Sequence, residues 1–276
     1  MAKKVKLGII GYGNMGSAIA DKVKTVIDVT VFEKDKAKIT NISGIKITAT
    51  AGVLMQEVDA VILAIKPQDF ESILKEIKTS AEGKLVISIA AGIPTEYIEK
   101  ILGKVRIIRV MPNLLVKIGK GITALCKGKF ATDDDLNFTR EIFDKVGTTL
   151  VLEEKMIAAD TAFLGSGPGF HFDLLSRRNK EEWIAFTKNE FIPSFAASGE
   201  KVGFPKQQAE VLAKLMAEGD LLLLEESNES PKGLCVKVTS KGGTTEAGLK
   251  ELKGDVKRLP NAVEAARKRA EKLSRR

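Results

Sequence analysis

The sequence predicts an α/β chain in which a doubly wound parallel sheet is followed by an all-helical domain. Two observations carry this. As far as about Leu152, short apolar or β-branched runs alternate with helical patterns, as expected of a parallel sheet with crossover helices. Beyond it the β-rich runs stop and long helical patterns take over. With 276 residues, 44% of them hydrophobic, the chain can bury two cores of ordinary size.

The elements follow in order. Val5 to Ile10 reads as a strand that stops at Gly11. Asn14 to Lys24 reads as a helix, with Met15, Ile19 and Val23 at helical spacing. Asp28 to Phe32 is a β-branched strand ending at Glu33. Further strands are expected at Ala60–Ile65, Leu85–Ile89 and Val105–Val110, with helices at Asp69–Ile77 and Thr95–Leu102 between them. Gly121–Cys126 and Thr148–Leu152 read as two more strands around a helix at Asp133–Lys145. The helical region then shows Ile157–Phe163, Lys206–Glu225, Thr244–Lys253 and Asp255–Leu273. The boundary is placed at residues 153–155, giving domains 1–154 and 155–276.

The first strand and helix enclose Gly11-Tyr12-Gly13-Asn14-Met15-Gly16, a G-x-G-x-x-G run. A strand before it and a helix after it are the context in which this motif binds a dinucleotide, so the first domain is read as Rossmann-like. Gly11 permits the tight turn, Gly13 lets a pyrophosphate approach the backbone, and Gly16 lets helix and strand pack closely. The helix start offers free N–H groups and the positive end of a dipole. Glu33, 20 residues after Gly13, stands where an acid accepts the adenine ribose hydroxyls. An acid there favours NAD, yet Lys34, Lys36 and Lys38 follow at once and are placed to hold a 2′-phosphate. NAD(H) and NADP(H) both stay open. Ala64-Ile65-Lys66-Pro67 and Ser88-Ile89-Ala90-Ala91-Gly92 end two further strands. Each reads either as a plain strand terminus or as a cofactor contact at the carboxyl edge of the sheet.

Three later motifs also carry chemistry: Met111-Pro112-Asn113, Gly165-Ser166-Gly167-Pro168-Gly169, and Val238-Thr239-Ser240-Lys241-Gly242-Gly243-Thr244-Thr245. The last precedes a helix. It can serve as ordinary capping by Thr244 or Ser240, or as an anion site built of backbone N–H groups and hydroxyls.

Composition excludes several classes. His171 is the only histidine, so a multi-histidine metal site and a histidine triad are both ruled out, and no metal is expected. His171 itself, beside Phe170 and Phe172, reads as packed or surface. Cys126 and Cys235 are too far apart for a metal motif or a disulfide framework and read as reduced thiols. No run of about 18 apolar residues exists, so no membrane partner is expected. Met1-Ala2-Lys3-Lys4 runs straight into a strand without a signal region, and a cytoplasmic location is expected. The net charge of +8 lies largely in the last ten residues and reads as a solvated helix end. With two tyrosines and one tryptophan, a base-stacking platform is poorly supported, and no nucleic acid is expected.

In family order over nearly the whole chain, Ile9–Gly16, Ala64–Gln68, Ser88–Gly92, Met111–Asn113, Gly165–Pro168 and Val238–Thr245 resemble the pyrroline-5-carboxylate reductases. The resemblance implies a Rossmann domain joined to a helical dimerisation domain, in homodimers that often assemble further. It implies reduction of 1-pyrroline-5-carboxylate to L-proline by NADPH or NADH. Ser240, Gly242, Gly243, Thr244 and Thr245 would then line the substrate pocket. The Gly-Gly-Thr-Thr backbone would hold the substrate carboxylate, and the Thr245 hydroxyl would meet the ring nitrogen as the catalytic group. A protonated imine is already electrophilic, so such an enzyme needs orientation more than a histidine.

Departures are visible. Lys241 stands where the family usually has proline, and Ala51 where many relatives have asparagine. The stretch between Gly-Pro and Gly203-Phe204-Pro205 is longer than usual. Its charged part, Ser176 to Trp183, reads as a surface excursion. The rival functions are another Rossmann imine or β-hydroxyacid reductase, which leaves the Gly-Gly-Thr-Thr turn unexplained, and a non-enzymatic dinucleotide sensor.

Overall fold

A computed structural model describes residues 5–40 and 42–275. The stretch Met1 to Lys4, read as leading directly into the first strand, and the terminal Arg276 lie outside the described residues. The chain divides into two compact units. The first comprises the chain up to Met111 together with Thr123–Glu154, the second Pro112–Ile122 and Lys155–Arg275. The passage of Pro112–Ile122 into the second unit has no counterpart in a single boundary at 154/155.

In the first unit, the described residues form one sheet of eight strands: β1 (Lys6–Ile10), β2 (Asp28–Phe32), β3 (Lys46–Ile47), β4 (Ala60–Leu63), β5 (Leu85–Ser88), β6 (Arg106–Met111), β7 (Gly121–Lys127) and β8 (Gly147–Val151). Their order is β3-β2-β1-β4-β5-β6-β7-β8. Strands β1 to β6 pair in parallel, and β7 runs antiparallel to β6 with Arg109 opposite Cys126. The order reverses between β1 and β4, the switch point outside which open α/β sheets bind ligands. β4 reads Ala-Val-Ile-Leu and is buried throughout, as a central parallel strand covered on both faces must be.

The helices of this unit are α1 (Asn14–Val23), α2 (Ala51–Glu57), α3 (Phe70–Ile77), α4 (Thr95–Leu102) and α5 (Asp133–Phe143). α1 buries Gly16, Ile19, Ala20 and Val23, the i, i+3, i+4, i+7 stripe of an amphipathic helix. α5 starts at a capping box, Thr132 and Asp135 exchanging bonds with each other's backbone N–H, which satisfies two orphan donors. Near its end the unit buries Arg109, which is ion-paired with Glu154. Cys126 lies 3.4 Å from the same carboxylate. Burial, reinforced by Glu154, pushes its thiol up to about 12, and both cysteines are free thiols.

The second unit contains α6 (Ile157–Asp160), α7 (Gly167–Leu175), α8 (Trp183–Phe186), α9 (Ile192–Lys201), α10 (Lys206–Ser227), α11 (Pro231–Val238), α12 (Thr244–Leu252) and α13 (Leu259–Ser274). The charged part of the extra segment, Ser176 to Trp183, is exposed or half-buried, as expected of a surface excursion, whereas the residues that follow it are helical and packed. The chain turns at Ser176 to Arg178, and a helix then runs back from Trp183 through a π turn at Thr187–Phe191 into α9. Phe186, Phe191 and Phe195 are buried along it. The extra residue of the π turn shifts the apolar stripe and hides its period in sequence. Among the described residues, no helix is long and apolar enough to cross a membrane.

His171, on α7, is packed. Its ring stacks on Phe191 with centroids 4.1 Å apart, and it is fully buried with Asp220 of α10. Nδ1 lies 3.0 Å from the Asp220 carboxyl and Nε2 2.9 Å from the Thr187 hydroxyl. Burial pushes His171 down to about 3 and Asp220 well above the usual carboxylate range. Burial thus disfavours the charged form of each, although they lie at ion-pair distance. In the neutral pair the Asp220 carboxyl would donate to Nδ1, and the Nε2–H would donate to the Thr187 hydroxyl.

The C-terminal cations are less free than a solvated helix end suggests. Arg267 pairs with Glu264 and Glu271, and Arg269 donates to the carbonyl of Gly242 at 2.8 Å.

Candidate active site

In the first unit the glycine turn forms where β1 ends. Gly11 has φ +100°, and a Cβ there would lie 2.5 Å from the carbonyl oxygen of Ala64. A Cβ on Gly16 would lie 2.1 Å from the carbonyl oxygen of Gly11. Both contacts are with backbone, so neither position tolerates a side chain. Gly13 differs: nothing lies within 4 Å of its Cβ position. It caps α1, so the open space lies where helical N–H groups are unpaired. A dinucleotide pyrophosphate fits the open space at this helix start. Asn14 is exposed beside it, and Tyr12 is buried beneath.

The Glu33 carboxylate closes this turn from the end of β2. One oxygen accepts the N–H of Tyr12 at 2.6 Å and the other the N–H of Asp35 at 2.9 Å. Lys38 approaches to 3.9 Å. Lys36 reaches the Glu33 carbonyl at 3.4 Å, whereas Lys34 is exposed. The Glu33 side chain thus ties the tip of β2 to the glycine turn. Ala64 and Ile65 flank Gly11 at the end of β4. Lys66 is exposed and Pro67 opens a short 3-10 turn. Ala90 is buried and Ala91 exposed at the end of the adjacent β5. The described structure thus brings together Gly11–Gly16, Glu33, Ala64 and Ile65, with Ala90 and Ala91 one strand further along the same edge.

In the second unit three motifs separated in sequence meet. The buried Asn113 side chain donates to the Leu164 carbonyl at 3.3 Å and accepts the N–H of Ile122 at 3.1 Å. Leu164 lies in a π turn at Thr161–Gly165 that leads into Ser166. The Ser166 hydroxyl donates to the Thr244 hydroxyl at 2.9 Å. Gly169 faces Thr245, whose Cγ2 would lie 2.4 Å from a Cβ on the glycine. Thr244 and Thr245 open α12 after its N-cap, Gly243. The Gly243 N–H bonds back to the Ser240 carbonyl at 2.9 Å. The first bond within the helix is from Ala247 to Gly243, so the Thr244 and Thr245 N–H groups remain available to an anion. Thr245 is 4% exposed, held by packing rather than by solvent.

Sequence reasoning missed two groups at this turn, Glu246 and Arg269. The Glu246 carboxylate accepts the Gly242 N–H at 3.0 Å, and Arg269 holds the Gly242 carbonyl. Glu246 stands four residues after Gly242, and a capping pattern could have suggested it. Arg269 lies 27 residues away on another helix, and no local signal points to it.

Residues 6–92 match the family described as NADP oxidoreductase coenzyme F420-dependent, and residues 185–273 match that described as pyrroline-5-carboxylate reductase dimerisation. The chain is 34% identical to the pyrroline-5-carboxylate reductase of Aquifex aeolicus, covering 98% of this chain and 97% of that one. It is 31% identical to the enzyme of that name from Arabidopsis thaliana, covering 99% and 97%. It also resembles the solved structure of Plasmodium falciparum pyrroline carboxylate reductase with NADP bound, with a TM-score of 0.63, 25% identity and 99% of each chain covered. With the Gly-Ser-Gly-Pro and Gly-Gly-Thr-Thr motifs brought into contact and the whole chain aligned to these relatives, this chain belongs to the pyrroline-5-carboxylate reductase family.

Proposed function

We infer that this chain is an NAD(P)H-dependent oxidoreductase that reduces the cyclic imine 1-pyrroline-5-carboxylate to L-proline, the last step of proline synthesis. One observation carries the reading: the hydroxyl contact between Ser166 and Thr244, which joins the two most specific motifs of the family into one site.

The residues divide the work. Gly11, Tyr12, Gly13, Asn14, Met15 and Gly16 would hold the dinucleotide pyrophosphate. Glu33 and Lys34 would face the adenine ribose, each Glu33 oxygen keeping a second lone pair for a hydroxyl. Ala64, Ile65, Lys66, Pro67, Ala90 and Ala91 would line the path of the cofactor along the sheet edge. When bound, the nicotinamide supplies the hydride that reduces the C=N carbon.

The second unit's residues bind and orient the substrate. The N–H groups of Thr244 and Thr245, at the positive end of α12, take the carboxylate. Ser240, Gly242 and Gly243 shape the turn around it. The Thr245 hydroxyl, fixed by packing against Gly169, hydrogen-bonds the ring nitrogen and orients or protonates it. Holding an already electrophilic imine in one pose accounts for most of what the chain itself must contribute.

The dimerisation domain at 185–273 supports self-association as a homodimer, and higher assembly remains compatible with it. A cytoplasmic setting is proposed with this reading, since Cys126 and Cys235 are free thiols. The test is oxidation of NADPH or NADH on adding pyrroline-5-carboxylate. Turnover with proline as product is expected, and its absence with both cofactors refutes the reading.

A further inference from the structure

We propose that Arg269 is a positioning residue for the reaction: with Glu246 it clamps Gly242 from both sides and so sets the direction of the N–H groups that receive the substrate carboxylate. The proposal rests on the reductase reading of the Gly-Gly-Thr-Thr turn.

The turn has little restraint of its own. Gly242 has φ +70°, a conformation glycine adopts readily but can also leave readily. Lys241 before it is exposed and, unlike a proline, leaves its own φ free. Gly243, next in line, is also without a side chain. Two adjacent glycines at the mouth of an anion site would leave its donors poorly directed unless something else held the peptide planes.

Two side chains hold them. The plane preceding Gly242 is fixed through its N–H, which the Glu246 carboxylate accepts at 3.0 Å. The plane following it is fixed through its carbonyl, which accepts Nε–H of Arg269 at 2.8 Å. That second plane also carries the Gly243 N–H, which points away from the carbonyl across a trans peptide and closes on the Ser240 carbonyl at 2.9 Å. With both planes fixed, the next two N–H groups, of Thr244 and Thr245, emerge in one direction at the start of α12.

The anchor is itself rigid. α13 buries Ala262, Val263, Ala266 and Ala270 on the face that frames Arg269. Arg269 is half-buried, and Nη2 lies 3.5 Å from the Cβ position of Gly242. A guanidinium spans this gap with Nε as donor. The Glu246 carboxylate, which Lys250 approaches to 3.6 Å, opposes a second anion at the helix start. The cation on the other side of Gly242 offsets that opposition.

The test compares Arg269→Ala, Arg269→Gln and wild type in steady-state kinetics of the intact enzyme, with hydrogen exchange of residues 240–245. Glutamine keeps a neutral N–H donor but not the charge. In Arg269→Ala, KM for pyrroline-5-carboxylate should rise roughly tenfold. KM for the nucleotide should stay within about twofold, and exchange at 240–245 should quicken. Arg269→Gln should restore part of the KM and the exchange protection. Unchanged substrate KM and unchanged exchange in Arg269→Ala overturn the proposal, as does an equal loss for substrate and nucleotide with a lowered melting temperature. If wild type itself does not turn over, the reductase reading fails. The exchange comparison then decides alone whether Arg269 holds the turn.

Discussion

The Glu33 carboxylate, at the end of β2, accepts the backbone N–H of Tyr12 inside the glycine turn at 2.6 Å, across 21 residues of sequence. Glu33 is 8% exposed, and its carboxylate also accepts the Asp35 N–H. It therefore shapes the glycine turn, besides the ribose contact proposed for it. Glu33→Ala should weaken both NADH and NADPH, because it orphans a buried donor at a cost of about 1–3 kcal/mol. NADH should lose more, since it would also lose the partner of its ribose hydroxyls. Fluorescence titration of both nucleotides measures this, and an equal loss would mean that the carboxylate serves the turn alone.

Gly13 and Gly16 should respond in opposite ways to alanine. At Gly16 the new Cβ meets backbone at 2.1 Å, which cannot move aside, so Gly16→Ala should lower stability by about 1–3 kcal/mol. At Gly13 the space is open, so Gly13→Ala should keep the wild-type melting temperature yet bind the dinucleotide at least tenfold more weakly. Thermal melts with and without NADPH separate the two. A Gly13→Ala protein with full affinity would place the pyrophosphate elsewhere.

Thr245 tests the chemical role directly. Thr245→Val keeps the methyl that packs against Gly169 and replaces the hydroxyl with a methyl of similar size. The turnover rate should fall by roughly 10²-fold, the lower range for a positioned proton-transfer group, with dinucleotide affinity nearly intact. Thr245→Ala should behave alike at the chemical step. Unchanged turnover in both would leave the hydroxyl without a catalytic role.

Asp220 makes stability depend on pH with a definite sign. Burial holds its folded-state affinity for a proton above the ordinary value of 3.8. Above that pH the unfolded carboxyl ionises while the folded one keeps its proton, so stability falls as pH rises. Asp220→Asn cannot ionise, and its amide can still donate to His171. The histidine, pushed down to about 3, is common to both proteins and cancels in the comparison to first order. The variant should therefore gain on wild type above about pH 4, by up to ~1.4 kcal/mol per pH unit. Urea unfolding at several pH values measures the difference. A flat difference would mean that Asp220 is ionised in the folded protein and pairs with a charged His171.

The first unit was largely legible in sequence because its signals are local. β2 and α4 carry the bounds expected of them, since apolar runs between turn residues state a strand or helix directly. β3, of two residues, and α2 carried too little pattern to be seen. The antiparallel pairing of β7 with β6 is a matter of topology that a run of apolar residues does not encode. In the second unit, the helices carrying Phe186, Phe191 and Phe195 were missed because the π turn between them breaks the 3.6-residue period. At the site, the Gly-Gly-Thr-Thr turn could be read, but its contact with Ser166 and its hold by Arg269 join residues 78 and 27 positions apart. Spacing along the chain says nothing of such pairs.

The central claim is tested most directly by one assay: purified protein, pyrroline-5-carboxylate and NADPH or NADH, followed by loss of nucleotide absorbance and identification of the product. Saturable nucleotide oxidation that yields L-proline is the expected result. Oxidation with neither nucleotide, from protein shown to bind one of them, would contradict the account.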